Sequence, residues 1–305
     1  MFKPSTYSCC CWCSVSRVRD HPSATVHHLT YIPYHEDRDE MTPLNSIQNS
    51  GSGTENEPFV VYRNPRMIGK ENKRLRFICM SDTHNDIDKI HIPHGDVFIH
   101  CGDAVNHRTS SRDIVRFNDF VGQLSHKYKI FISGNHCVCL NPKRPDKSQK
   151  LLTNMIYLQD QLIDIDGVRI YGSPWRPKRG CFYRAEAFGY DSKHIREDKW
   201  SKIPEDIDFL LTHGPPYSIR DYNSSTEEQL GCPDLLDEIV TRIRPRIHLF
   251  GHMHSCYGAS LYKSEDNRIL EGDQFQTDSN DILFVNLAIH QGISYAKPTV
   301  IDYYY

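Results

Sequence analysis

The chain has no apolar run approaching the ~18–20 residues that a membrane span requires. Its start, Met1-Phe2-Lys3-Pro4-Ser5-Thr6-Tyr7, lacks the continuous apolar core of a secretory signal. A cytoplasmic location is expected. Neither sign of charge is in excess: 36 Lys and Arg against 39 Asp and Glu leave a formal −3 at pH 7. That near balance gives no basic footprint for a nucleic-acid polymer, so any nucleotide the protein handles is expected to be a small molecule. No internal repeat is visible, which excludes a solenoid. At 305 residues, 38% hydrophobic and 25% charged, the chain can build a sizeable core.

Cysteine is not scarce, but it is not arranged as a disulfide framework. The eleven cysteines are odd in number and no secretory signal precedes them, which points to reduced thiols. Cys79 and Cys101 lie in apolar context and are expected in the core. Cys9, Cys10, Cys11 and Cys13 crowd one short run. That cluster has three readings, in descending order: plain tail cysteines, reversible palmitoylation with membrane association, and a soft metal site.

Residues 1–72 mix Cys, Ser, His, Pro and acidic runs without sustained periodicity. They are expected to form a disordered arm with an unknown protein partner, preceding a folded domain over 73–305. Within the arm only Phe59-Val60-Val61-Tyr62 has strand character. Beyond it, strand signals alternate with helical ones. Ile114 to Tyr128 carries a helix-period apolar face, and a second runs from Leu235 to Ile243. Asp166-Gly167 between apolar segments signals a hairpin, and Ile282 to Asn286 is expected to pair with Thr299 to Tyr303.

Chemistry-bearing residues recur at the ends of apolar runs. Asp82-Thr83-His84 follows Phe77 to Met80, Gly102-Asp103 follows Val97 to Ile99, and Gly134-Asn135-His136 follows Ile130 to Ile132. His213-Gly214 follows Phe209 to Leu211, and Gly251-His252-Met253-His254 follows Ile247 to Phe250. Such runs place hard and borderline ligands at the carboxyl edge of a sheet, where α/β folds bind ligands. Asp82 and His84, like His252 and His254, are two apart and project to one side of an extended segment. Taken singly, each would more often be a cap, a turn or a satisfied histidine, and Gly102, Gly134 and Gly251 would simply mark turns.

The ordered series Asp-x-His, Gly-Asp, Gly-Asn-His, His, Gly-His-x-His resembles the calcineurin-like metallophosphoesterase superfamily. Longer strings, among them Arg76 to His84, Tyr171-Gly172-Ser173-Pro174-Trp175 and Thr212-His213-Gly214-Pro215-Pro216, resemble its metallophosphoesterase-domain-containing branch. The resemblance covers roughly Arg76 onward. It implies a four-layer sandwich, two mixed β-sheets flanked by helices, and a dinuclear metal centre. By that pattern Asp82, His84 and His254 hold one ion, Asn135, His213 and His252 hold the other, and Asp103 bridges them. Oxygen and imidazole ligands without thiolate suit Mn, Fe or Zn, with Mn favoured. His136 is the implied catalytic residue.

The implied activity is hydrolysis of cyclic nucleotides or related small phosphodiesters. The alternatives are a phosphomonoesterase or protein phosphatase, and a weakly active binding or scaffolding module. Cys137 departs from the family, many of whose members carry an acidic residue there to orient the histidine. Two further sets are weaker candidates: Trp175, Tyr183 and Tyr217 for base stacking or, as often, plain packing, and Arg108 and Arg176 for clamping phosphate or merely solvating a loop. His290 and His107, with seven other histidines, are expected to be structural or solvent-facing.

Overall fold

The computed structural model describes residues 59–63, 73–106, 110–178, 187–272, 275 and 280–305, with the backbone alone for 59–63. The N-terminal cysteine cluster, His107, Arg108 and Tyr183 lie outside them.

Thirteen principal strands form two sheets. The first contains β1 (Phe59–Arg63), β2 (Arg74–Met80), β3 (Val97–His100), β4 (Tyr128–Phe131) and β5 (Ile156–Tyr157). The second contains β6 (Gln161–Ile165), β7 (Val168–Ser173), β8 (Phe209–Thr212), β9 (Ile247–Phe250), β10 (Gly258–Lys263), β11 (Arg268–Gly272) and β12 (Ile282–Asn286). The last strand, β13 (Thr299–Tyr304), returns to the first sheet, whose order is β1-β13-β2-β3-β4-β5. The second sheet runs β11-β10-β12-β9-β8-β7-β6. β2, β3, β4 and β5 are mutually parallel, as are β7, β8, β9 and β12. Apart from the edge strand β5, whose Ile156 is exposed, and the start of β4, these parallel strands are buried on both faces, which is why they read as continuous apolar runs.

Alternation along the strands makes two apolar layers. Phe77, Cys79, Val97, Ile99, Phe209, Leu211, Leu249 and Val285 belong to one cluster drawn from both sheets, and Phe77 stacks on Phe209 with ring centroids 4.5 Å apart. The sheets therefore pack face to face. The intervening residues, such as Ile78, Phe98, Leu210 and Phe284, join a second cluster with residues of α1 (Ser111–Gly122) and α2 (Pro233–Glu238). Helices thus cover the outer faces, completing the expected four-layer sandwich.

Three local expectations change. α1 stops at Gly122 rather than reaching Tyr128, because Tyr128 already pairs with Val97 and the chain needs the intervening residues to turn back. Its start is fixed by a capping box in which Ser110 and Asp113 satisfy each other's backbone amides. Ile282–Asn286 and Thr299–Tyr304 do not pair: the first lies between β9 and β10 in the second sheet, and the second lies beside β2 in the first. The chain between them crosses from one sheet to the other. The Asp166-Gly167 hairpin is present, with positive φ at both residues (52° and 96°), as a two-residue strand turn requires. It joins β6 to β7, the strands that begin the second sheet.

β1 extends the first sheet N-terminal of residue 73, pairing in parallel with β13 from Phe59↔Val300 to Arg63↔Tyr304. The folded unit therefore reaches further back than position 73. Truncating residues 1–58 should leave the thermal midpoint unchanged. Truncating 1–63 should lower it by several degrees through loss of a five-residue edge ladder, a shift of the order expected for ~1–2 kcal/mol. Equal midpoints for the two truncations in differential scanning calorimetry would show that β1 contributes nothing to the sheet.

Candidate metal centre

Five parallel strands end at one place. β2, β3 and β4 deliver Asp82, Asp103 and Asn135 from the first sheet, while β8 and β9 deliver His213, His252 and His254 from the second. The turns are tied to one another: the Asp82 amide donates to Gly102 O (3.0 Å), the His84 amide to Asp103 O (3.0 Å) and the Gly251 amide to His213 O (3.0 Å). The His252 amide ties the two sheets together here by donating to Asp82 Oδ2 at 2.9 Å.

All eight residues singled out from sequence meet here. His84 Nε2 and His254 Nε2 lie 3.1 Å apart, and Asp82 Oδ1 lies 3.4 Å from His254 Nε2. On the other side, His213 Nε2 lies 3.3 Å from Asp103 Oδ2 and 3.0 Å from Asn135 Oδ1. Donor atoms of Asp82, His84 and His254 fall within one ligand-sized group, and those of Asp103, His213 and His252 within another. A third group joins His84, Asp103 and His136, which places Asp103 between the two sides. His136 donates its amide to Asp103 Oδ1 (2.7 Å) and brings its own Nε2 to 3.9 Å from Asp103 Oδ2.

The donor set fits a pair of cations. Asp82 Oδ1 is buried with no hydrogen-bond partner, an arrangement that is costly unless a positive charge completes it. His213 Nδ1 faces Cys101 O at 2.9 Å; donation there orients the ring so that Nε2 is directed inward.

The electrostatics follow from burial competing with charge. Burial pushes the His84 imidazole down to about 4, and burial together with the Arg176 charge holds His252 well below its usual value, so both are neutral at pH 7. His213 behaves differently: burial would lower it, but the Asp103 carboxylate pushes it up to about 9. His254 is raised in the same sense by Asp82 against the effect of burial. Burial would raise both carboxylates, yet the surrounding imidazoles hold Asp82 and Asp103 below the usual range.

The backbone is strained where these side chains are aimed. Asp82 (φ 59°), His84 (46°), Asp103 (50°) and His252 (69°) all occupy the left-handed region. Such conformations are costly for non-glycine residues and cluster at functional sites. The glycines do more than turn the chain. A Cβ on Gly134 would lie 2.2 Å from Asp103 Oδ1, and one on Gly251 would lie 2.2 Å from Asp82 Oδ2. Their absence of a side chain makes room for the two carboxylates.

Two groups considered from sequence are placed elsewhere. Trp175 donates its indole N–H to Asp160 Oδ2 (2.6 Å), lies under Lys199 Nζ (3.7 Å from the ring centroid) and packs edge-on to Phe188 and Tyr190. It is a packing element, not a free stacking surface. Cys137 is fully buried, its Sγ accepting from the Gly134 amide at 3.5 Å, and burial pushes its thiol up, so it buttresses the turn as an inert side chain.

Sequence reasoning missed the supports. Asn286 Nδ2, at the end of β12, donates to Met253 O (3.0 Å), and Gln291 Nε2, from the segment that crosses between sheets, donates to His254 O (2.7 Å). Buried His100 and His248 bring their Nε2 atoms to Thr83 Oγ1 (3.0 Å) and Thr212 Oγ1 (2.8 Å), directly beneath ligand-bearing turns. His290 lies 5.7 Å and 5.6 Å, by ring centroids, from His84 and His254. Nothing in its sequence neighbourhood signals this.

Because His213, pushed up to about 9, carries a proton that metal binding must displace, loading metal at pH 7 should release protons. Apparent affinity should rise with pH, by up to about tenfold per pH unit for each proton displaced, and level off as the pH passes about 9. Calorimetric titration with Mn²⁺ in two buffers of different ionisation enthalpy measures the release; none at pH 7 would contradict the charge assignment. Gly134→Ala should lower metal content at least tenfold by displacing Asp103, read by elemental analysis of the folded variant.

Residues 75–256 match the family model for calcineurin-like phosphoesterases. The protein named Metallophosphoesterase domain-containing protein 1 is 38% identical over 205 residues in both Homo sapiens and Mus musculus. That alignment covers 60% of this chain and 61% of either relative, so the chain spans about three-fifths of the length of these relatives. A UPF0046 protein of Caenorhabditis elegans is 37% identical over 210 residues, covering 62% of this chain and 72% of that protein.

Proposed function

The chain belongs to the calcineurin-like phosphoesterase family, and from that premise we propose that it is a cytoplasmic, metal-dependent phosphodiesterase acting on cyclic nucleotides or related small diesters through a dinuclear centre, with manganese the favoured metal. The observation that carries this reading is the place of Asp103 between two donor sets, grouped with His213 and His252 on one side and with His84 on the other, with Asp82 Oδ1 buried and unsatisfied beside the imidazoles of one set.

In this reading Asp82, His84 and His254 hold one cation, Asn135, His213 and His252 hold the other, and Asp103 is shared. When bound, the cations supply a nucleophile at neutral pH and screen the phosphoryl oxygens. Burial of the carboxylates removes competing water, which strengthens every charge interaction at the site. His136 is half-buried and anchored through its amide to Asp103, so its ring is held at the shared edge of both sets. There it stabilises developing negative charge or returns a proton to the departing oxygen.

The preference for diesters rests on the cations nearby. A monoester carries up to two charges and its enzymes usually add cationic side chains beyond the metals, whereas a diester carries one. Arg176 is buried, with Nη1 donating to Pro177 O (3.3 Å), and Arg220 is bound to Glu271 and to the carbonyls of Tyr257 and Ala259. Arg220 is thereby built into the protein, and Arg176, although close enough to act on His252 by its charge, is itself buried.

Asp103→Asn should lose metal and reduce turnover by several orders of magnitude, since a neutral amide bridges two cations poorly. Full metal content with near-normal turnover would remove the dinuclear reading. His136→Ala should retain both metals while turnover falls roughly 10²–10⁴-fold, the range for a lost proton donor or charge stabiliser; an effect under about tenfold would dismiss its catalytic role. With Mn²⁺ supplied, a nucleoside cyclic phosphate and an aryl diester should show higher kcat/KM than the matching monoesters, and a chelator should abolish all activity. A clear monoester or phosphoprotein preference would overturn the substrate class.

A further inference from the structure

His290 belongs to neither donor set, yet the fold holds it beside one of them. The segment leading to it runs alongside the turn before Asp82: the Ser81 amide donates to Leu287 O (2.9 Å) and the Ile289 amide to Ser81 O (3.2 Å). The chain then forms a tight hairpin, pairing His290 with Tyr295, and the Ala296 amide closes it onto Ile289 O at 2.7 Å. Two side chains pin the hairpin to the ligand-bearing loops. Gln291 Nε2 donates to His254 O (2.7 Å), and Tyr295 Oη donates to Asp86 Oδ2 (2.6 Å), two residues past His84. The Tyr295 ring also meets His290 edge-on, 5.4 Å between centroids.

The result is a fixed, half-exposed imidazole bordering His84 and His254, on a hairpin whose tip, Ile293, is wholly exposed. The bonds hold the hairpin, and the imidazole, half-exposed on it and touching other rings, is placed for contact with something outside the protein. We infer that His290 is a substrate-contacting residue that hydrogen-bonds the alcohol-derived substituent of the phosphoester and so sets substrate preference. This rests on the phosphodiesterase reading above.

Its position separates its role from that of His136. His136 touches Asp103, the residue lying between the two donor sets, and so lies at the centre of the site. His290 borders only the Asp82, His84 and His254 side and continues outward into the exposed hairpin. A group displaced outward in this way meets what phosphorus carries. The class of substituent that it recognises is one bearing oxygen or nitrogen atoms able to hydrogen-bond with imidazole, as a nucleoside does and a phenyl group does not.

The test uses the full chain loaded with Mn²⁺ and compares wild type, His290→Ala and His290→Gln on a nucleoside cyclic phosphate and on diphenyl phosphate. The ratio of kcat/KM for the first over the second should fall about tenfold in His290→Ala, the equivalent of one lost hydrogen bond. His290→Gln, which keeps an N–H donor, should recover part of the ratio. Metal content should match wild type, and calorimetric binding of a nucleoside monophosphate should weaken by a similar factor. An unchanged ratio, or loss of metal from His290→Ala, overturns the inference and leaves the phosphodiesterase reading standing. Failure of the wild-type protein to hydrolyse either ester overturns both.

Discussion

Two carboxylates, Asp82 and Asp103, are buried where the carboxyl edges of two sheets meet, and the rest of the structure is arranged to make that tolerable. An isolated buried carboxylate costs several kcal/mol or becomes protonated. Here imidazoles from the facing sheet hold both below the usual carboxylate range. The arrangement works only if the sheets are held in register. Phe77 on Phe209, and the His252 amide on Asp82 Oδ2, supply packing and a polar lock at the same junction.

The same constraint explains features that otherwise look unrelated. Left-handed backbone at Asp82, His84, Asp103 and His252 points the ligand atoms inward at a cost the surrounding hydrogen bonds must offset. Gly134 and Gly251 are needed because each would place a side chain on top of a carboxylate oxygen. Thr83 and Thr212, each paired to a buried histidine, stiffen the turns from below. Positioned ligands of this kind depend on such outer partners as much as on their own identity.

Much of this could be read in the sequence because the parallel strands are buried on both faces and short. Each therefore appears as an apolar run, and each ligand stands within a few residues of its end. What could not be read are the contacts made by chain segments far apart in sequence. β1 pairs with β13 across the whole domain, and a strand of five residues gives no sign of its partner. The segment from Leu287 to Ala296 was expected to join two paired strands. It instead crosses between sheets and passes under the site, carrying Gln291 and His290 to the ligands. For Trp175 the sequence left base stacking and packing open, and the structure shows packing: Asp160 and Lys199 occupy its edge and face.

The central claim is that these residues form two cation sites sharing Asp103. Anomalous diffraction from crystals grown with Mn²⁺ measures this directly. The account predicts two anomalous peaks per chain, one enclosed by Asp82, His84 and His254, the other by Asn135, His213 and His252, with the Asp103 carboxylate in contact with both. A single peak, or peaks away from Asp103, would contradict it.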